Sequence, residues 1–255
     1  MSRAAALRNN LTAGAGPAAL PRYPSLIEIN AKVWLHRLSR EAGKPITLAE
    51  VDDAILDDLA RLGFDWVWLL SVWQTGVASR AFSRSNPAWR AEFQAIGGSG
   101  FAIGAYEVEE TLGGKAALIE FRTRLAARGV RLMLDFVPNH TALDHPWVRA
   151  HPDFYVPGGE QNLAASPENY YRAETDRGSR ILAHGRDPNF APWRDTLPLN
   201  YANPALQAAQ IEELAVLSER CDVRTPRRFG RTDLFRGRCT VRVSFGALLA
   251  DERET

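Results

Sequence analysis

The sequence predicts an α/β fold with parallel strands, and two observations carry that prediction. Apolar strand-like runs alternate with amphipathic helical segments across residues 25–140, a rhythm that pairs strands in parallel through right-handed crossovers. Residues 129–140, GVRLMLDFVPNH, then set a glycine and an apolar run ahead of Asp135, Asn139 and His140. That is the pattern of a buried strand delivering polar groups at its C-terminal end, where enzymes built on parallel α/β barrels keep their chemistry.

Each element follows in order. Residues 1–24 are rich in Ala, Gly and Pro and read as a flexible N-terminal arm. Across 27–35, IEINAKVWL, the alternation of Ile27, Ile29, Ala31, Val33 and Leu35 predicts a period-2 strand. Thr47 and Glu50 form a capping box. The helix behind it repeats Leu48, Val51, Ile55, Leu59 and Leu62, and Gly63 suits its C-terminal end. FDWVWLL, 64–70, reads as a second, fully buried strand. A glycine-rich loop at 97–104 leads to an amphipathic helix at 114–128, closed by Gly129 and followed by the third strand, 130–134. Residues 141–200 are rich in Pro, Asn, Asp and aromatics with weak periodicity, too long for an ordinary connection. Helical signals return at Asn203-Pro204, a favourable cap and first-turn pair, with Leu206, Ile211, Leu214 and Leu217 on the buried face. Cys221 to Arg224 opens a fourth strand.

Composition narrows the class. The 255 residues are 45% hydrophobic and 24% charged with a net charge of +1, which fits a globular protein and not a dedicated nucleic-acid or membrane-surface binder. Two cysteines, Cys221 and Cys239, make neither a disulfide framework nor a metal cluster. No run approaches a membrane span and no signal peptide is legible, so a cytoplasmic location is expected. A dinucleotide-binding G-x-G-x-x-G is missing, because Gly97-Gly98-Ser99-Gly100 has the wrong spacing. No cofactor is expected.

The D-x-x-x-N-H of 135–140 resembles the first signature region of the α-amylase family of glycoside hydrolases, family 13. IEINAKVWL, WVWLLSVWQTG, GSGFAIGAYEV, LDFVPNH, WRDTLPLNYANPAL and CDVR fall in that family's order over about residues 25–224. The resemblance implies an incomplete (β/α)8 TIM barrel with an irregular insertion after the third strand. Its first three βα units would occupy 25–140, an insertion subdomain 141–200, a helix and the start of the fourth strand 201–224, and a divergent basic tail 225–255. It also implies retaining hydrolysis or glucosyl transfer on an α-glucan or small α-glucoside, with two carboxyl groups flanking the scissile bond.

The same resemblance assigns candidate substrate-binding residues. His140 would donate to a sugar hydroxyl rather than rest on the local backbone. Asp135 would pair with Arg224 near the reacting centre, or simply cap a turn. Asn139 matches a calcium ligand of some members, but the insertion's usual aspartate aligns with Pro198, so a turn-stabilising role is expected and no metal. Phe101 stands where many members place a sugar-stacking tyrosine, and it either stacks or packs. Trp73, after the second strand, is a candidate platform.

No residue is assigned as catalytic. The nucleophile of the family lies in R-x-D on the fourth strand, and here that position reads Arg224, Thr225, Pro226. The seven tryptophans all precede residue 221, and eight of the 28 arginines fall in the last 35 residues. The basic run there reads as a solvated tail. The expectation is a truncated catalytic domain, inactive as written, with the sequence past about residue 223 translated in a shifted frame. Two alternatives remain open: a non-catalytic carbohydrate-binding pseudoenzyme, and a different enzyme using His140 as general base.

Overall fold

The computed structural model describes residues 23–85, 97–186 and 192–222. In chain order the elements are β1 (Leu26–Asn30), α1 (Ala31–Ala42), α2 (Asp53–Arg61), β2 (Trp66–Leu70), β3 (Trp73–Thr75), α3 (Val77–Ser85), β4 (Ile103–Val108), α4 (Gly114–Ala126) and β5 (Arg131–Leu134). There follow β6 (His140–Ala142), α5 (Pro146–Ala150), α6 (Glu160–Ala165), β7 (Tyr170–Thr175), β8 (Gly178–Ala183), β9 (Thr196–Pro198) and α7 (Pro204–Ser218).

β1, β2 and β5 form a parallel sheet in that order. The register aligns Leu26 with Trp66 and Arg131, and Glu28 with Trp68 and Met133. Alternation along each strand sorts the side chains by face. Ile27, Ile29, Val67, Leu69, Leu132 and Leu134 join the main core. There they meet Leu35, Leu56, Leu59, Leu118, Phe121 and Leu125 from the helices. Trp66, Trp68 and Met133 make a separate cluster on the opposite face. Past α7 the chain returns to this sheet. The Asp222 amide donates to the Leu132 carbonyl at 3.0 Å, and the Asp222 carboxylate accepts from the Leu132 amide at 2.8 Å.

The predicted strand 27–35 is corrected. It ends at Asn30, and residues 31–42 are helical. The Asn30 side chain accepts from the Val33 amide at 3.2 Å and caps α1. Ala31, Trp34 and Leu35 face inward while Val33 is turned outward. Helical spacing therefore replaces the period of 2 in mid-run, and the apparent alternation joins two elements. The Thr47–Glu50 capping box closes a short 3-10 turn at Leu48–Glu50. The cap of α2 is Asp52, which accepts from the Ala54 amide at 2.9 Å. Leu62 and Ile211, expected on buried faces, are 62% and 41% exposed. Asn203 does cap α7, accepting from the Ala205 amide at 2.9 Å with Pro204 behind it.

Two regions have more structure than their periodicity suggests. Between β2 and α4 the chain makes the antiparallel pair β3–β4 and the helix α3. Residues 140–199 hold the antiparallel pairs β6–β9 and β7–β8 around a second apolar cluster that includes Phe154, Tyr155, Leu182, Leu197 and Leu199. β3, β6 and β9 are only three residues long, and the pairs β3–β4 and β6–β9 join segments far apart in the chain, so local period carries little of their signal, whereas β7 and β8 form a tight hairpin across Asp176 and Arg177. Among the described residues, no helix is long and apolar enough to cross a membrane. Residues 1–22 of the expected arm, Arg224 and the basic tail lie outside the described residues.

Candidate functional site

The C-terminal ends of β1, β2 and β5 meet at one rim. Asn30, at the end of β1, donates its side-chain amide to Ser71 Oγ at 3.3 Å. Ser71, just past β2, donates its backbone N–H to Asp135 Oδ2 at 3.2 Å. Trp68 donates its indole N–H to Asp135 Oδ1 at 2.6 Å. From beneath, the Trp73 indole N–H donates to the Asp135 backbone carbonyl at 2.9 Å. Asp135 is therefore fixed by three donors brought in by β2, the turn after it and the first residue of β3.

The same residue is removed from water. Burial pushes the Asp135 carboxyl up to about 7, with the Glu28 charge adding to the rise, while the Trp68 and Ser71 hydrogen bonds pull the other way. Desolvation is the dominant cause because it penalises the charged form. A carboxyl balanced there can hold or release a proton near neutrality.

Ser71 is the one non-glycine residue with positive φ among the described residues, at 66°. A left-handed backbone outside glycine costs of order 1–3 kcal/mol and persists where surrounding contacts fix it. Gly100 lies directly over it: a Cβ added there would land on Ser71 Oγ.

His140 is buried, and burial lowers its imidazole to about 4. Its Nδ1 lies 3.0 Å from the Asn139 amide nitrogen, and the Phe101 backbone facing the ring partly opposes the lowering. The Trp193 ring meets it edge-on, with centroids 5.6 Å apart. Both the local contacts and the loop from 97 to 101 thus hold His140 in place. Phe101 is 40% exposed, and Trp73 only 1%. Trp73 packs on Tyr106 with ring centroids 5.6 Å apart. The structure accordingly places Trp73 under Asp135 as part of the core, with no ring face left for a ligand to stack on.

Behind the rim lies a buried charged group that the sequence reading missed. Lys32 donates to Thr75 Oγ1 at 2.7 Å and stands 3.6 Å from the Glu109 carboxylate. Arg80 reaches the same carboxylate at 2.7 Å. Desolvation lowers the Lys32 pKa, opposed by Glu109. This cluster ties α1, α3 and the end of β4 together. Its members come from three separate segments, and no local pattern marks them. Asn30 and Ser71 were missed for the same reason, although the glycine cluster at 97–100 hinted at a close backbone approach. Asn139 turns its amide to His140, and among the described residues no three His, Cys, Asp or Glu side chains gather as metal ligands would.

Comparison with known proteins gives this rim a context. Residues 53–196 match the family model described as alpha amylase, catalytic domain. The chain is 30% identical over 148 residues to the α-1,4-glucan:maltose-1-phosphate maltosyltransferase of Pseudomonas aeruginosa, covering 54% of this chain and 22% of that protein. It is 28% identical over 165 residues to the trehalose-6-phosphate hydrolase of Escherichia coli, covering 60% of this chain and 26% of that protein. Thus the matches span about a quarter of the length of these curated relatives. A solved structure of the Bacillus licheniformis trehalose-6-phosphate hydrolase superposes with a TM-score of 0.52 at 18% identity, over 77% of this chain and 33% of that one. At that identity the likeness speaks for the barrel fold alone.

Proposed function

The chain belongs to the α-amylase catalytic-domain family, and from that premise we propose that its strand-end rim is one side of an α-glucoside-binding site, on a chain that does not itself catalyse as written. The observation that carries this reading is the convergence of Asp135, His140 and the Phe101 loop at the C-terminal ends of parallel strands. That is where this architecture keeps its chemistry. The names of the maltosyltransferase and the trehalose-6-phosphate hydrolase both concern α-linked glucose, which supports an α-glucan or a small α-glucoside as ligand.

Each group has a role in this reading. The half-exposed ring of Phe101 supplies an apolar face for a sugar. His140, neutral at pH 7, exchanges one of its present hydrogen bonds for one to a sugar hydroxyl. Asn139 keeps the imidazole oriented. Asp135 is the carboxylate that the resemblance would pair with Arg224, which lies outside the described residues, and Trp73 acts only by holding Asp135. Catalysis is a separate matter. At the family's nucleophile position stand Arg224, Thr225 and Pro226, and proline has no group with which to attack an anomeric carbon. We attribute the break to a frame shift near codon 223. Reading the gene in all three frames tests this: no frame encoding an R-x-D strand past codon 222 removes the idea.

Titration calorimetry with maltotriose, alongside an assay of aryl α-glucoside hydrolysis, tests the function. Weak binding that is lost in Phe101→Ala, with no turnover, is the expected result. Turnover above background would overturn the non-catalytic reading, and its loss in His140→Ala would favour an acid/base role for that histidine. Absence of any saccharide binding would sink the site itself.

A further inference from the structure

We propose that Ser71 is a positioning residue of this site: its left-handed backbone aims its N–H at Asp135, and its side chain seats Gly100 so that the adjoining Phe101 backbone reaches His140. The proposal deepens the reading above, since it concerns the same rim.

Three observations converge on Ser71. Its φ of 66° is unusual for a residue with a Cβ, and glycine would be the ordinary choice there. Serine instead brings a hydroxyl that accepts from Asn30, which links the end of β1 to the end of β2. The backbone turn then presents the Ser71 N–H to Asp135 at the end of the third parallel strand. Finally, the fit against Gly100 leaves no room for a side chain on the loop: an added Cβ would collide with Ser71 Oγ and lie 2.7 Å from its Cβ. The backbone of the next residue, Phe101, faces the His140 ring and favours its protonated form against burial. One side chain thus touches two strand ends and the loop. Any displacement of Ser71 moves a donor of Asp135 and the seat of the Phe101 backbone together.

The steric fit supplies a compensation test. Gly100→Ala should push Ser71 aside. In S71G/G100A the Oγ and Cβ are gone, and the nearest Ser71 atom left to the new Cβ is the backbone Cα at 3.1 Å. The pair should therefore fit again. The readout is the Trp68 indole N–H resonance in a nitrogen-correlated NMR spectrum, which senses the Asp135 carboxylate it donates to, together with amide exchange at Phe101. The expected result is a shifted indole signal and faster Phe101 exchange in G100A, with the indole signal returned to its wild-type position in S71G/G100A. An unshifted indole signal in G100A, or a double variant no closer to wild type than G100A, would overturn the proposal.

If neither G100A protein folds, S71G alone decides. Glycine is unstrained at this φ and keeps the N–H, so the protein should fold and retain the indole signal. With the hydroxyl seat gone, Phe101 exchange should rise; unchanged exchange overturns the proposal. None of these measurements uses a sugar. Should the NMR compensation appear while maltotriose does not bind, the positioning role stands and the functional reading falls.

Discussion

The two ends of one sheet are held by different physics. Along their length, β1, β2 and β5 are covered by aliphatic and aromatic side chains from α1, α2 and α4, and each buried residue has many interchangeable neighbours. At the C-terminal rim, each contact is single and directional: Asn30 to Ser71, Ser71 to Asp135, Trp68 to Asp135, Trp73 to the Asp135 carbonyl. Apolar burial is non-directional and scales with area. A buried hydrogen bond has modest net value but is costly to leave half-made. The core therefore sets how stable the protein is, and the rim sets where a few polar atoms sit.

Substitutions can break this contrast. The largest expected loss is in the core. Phe121 is fully buried in α4 and packs edge-on against Trp34 with centroids 6.0 Å apart. Phe121→Ala should lower stability by about 3–5 kcal/mol, from lost transfer energy and the cavity left behind, read as a shift in the denaturant midpoint. At the rim, Trp73→Phe keeps most of the apolar volume but removes the donor to the Asp135 carbonyl. The expected loss is smaller, about 1–3 kcal/mol. It should come with a shift of the Trp68 indole signal, which Phe121→Ala leaves in place. Equal indole shifts in both variants would erase the distinction.

The rim also titrates where the core cannot. Asp135 has its folded pKa raised to about 7, so its contribution is full below the ordinary carboxylate value and lost as pH rises through 7. His140 has its folded pKa lowered to about 4, so its contribution is present above 6.5 and lost as pH falls toward 4. His140→Gln removes the second loss. The gap in Tm between this variant and the wild type should therefore narrow or reverse as pH is lowered from 6.5 to 4. A gap independent of pH across that window would mean that His140 is not buried neutral.

The contrast explains what could be read from the sequence. The apolar runs at 66–70 and 131–134 and the helices at 53–61 and 204–218 are written in local period, and the structure has them. Asn30 shows the limit. It ends a strand, caps a helix and holds Ser71, yet it sat inside an alternation that looked continuous from Ile27 to Leu35. His140 and Asp135 were found through a motif, but their partners Ser71, Trp68 and the Phe101 backbone come from residues tens of positions away in the chain. In the sequence Trp73 is a candidate ligand platform because it follows a strand. Only the structure shows it buried and donating to the Asp135 carbonyl.

The smallest expected effect lies away from the parallel sheet. In the 140–199 lobe, Arg172 of β7 reaches Glu160 of α6 with two short contacts, 2.7 and 2.6 Å, a geometry that looks strong on distance alone. Both groups stand in solvent, their side chains 45% and 72% exposed. Water screens the pair, and ordering two long side chains offsets much of the attraction. The Glu160 carboxyl is nonetheless held below its ordinary value, first by the Arg172 hydrogen bond. Short distance and useful stability should therefore part company here. Glu160→Gln is expected to leave Tm unchanged within error in moderate salt, and any small loss seen at low salt should vanish as salt is added. A salt-insensitive loss as large as that of Trp73→Phe would show that contact geometry, not removal from water, decides what a polar interaction is worth in this protein.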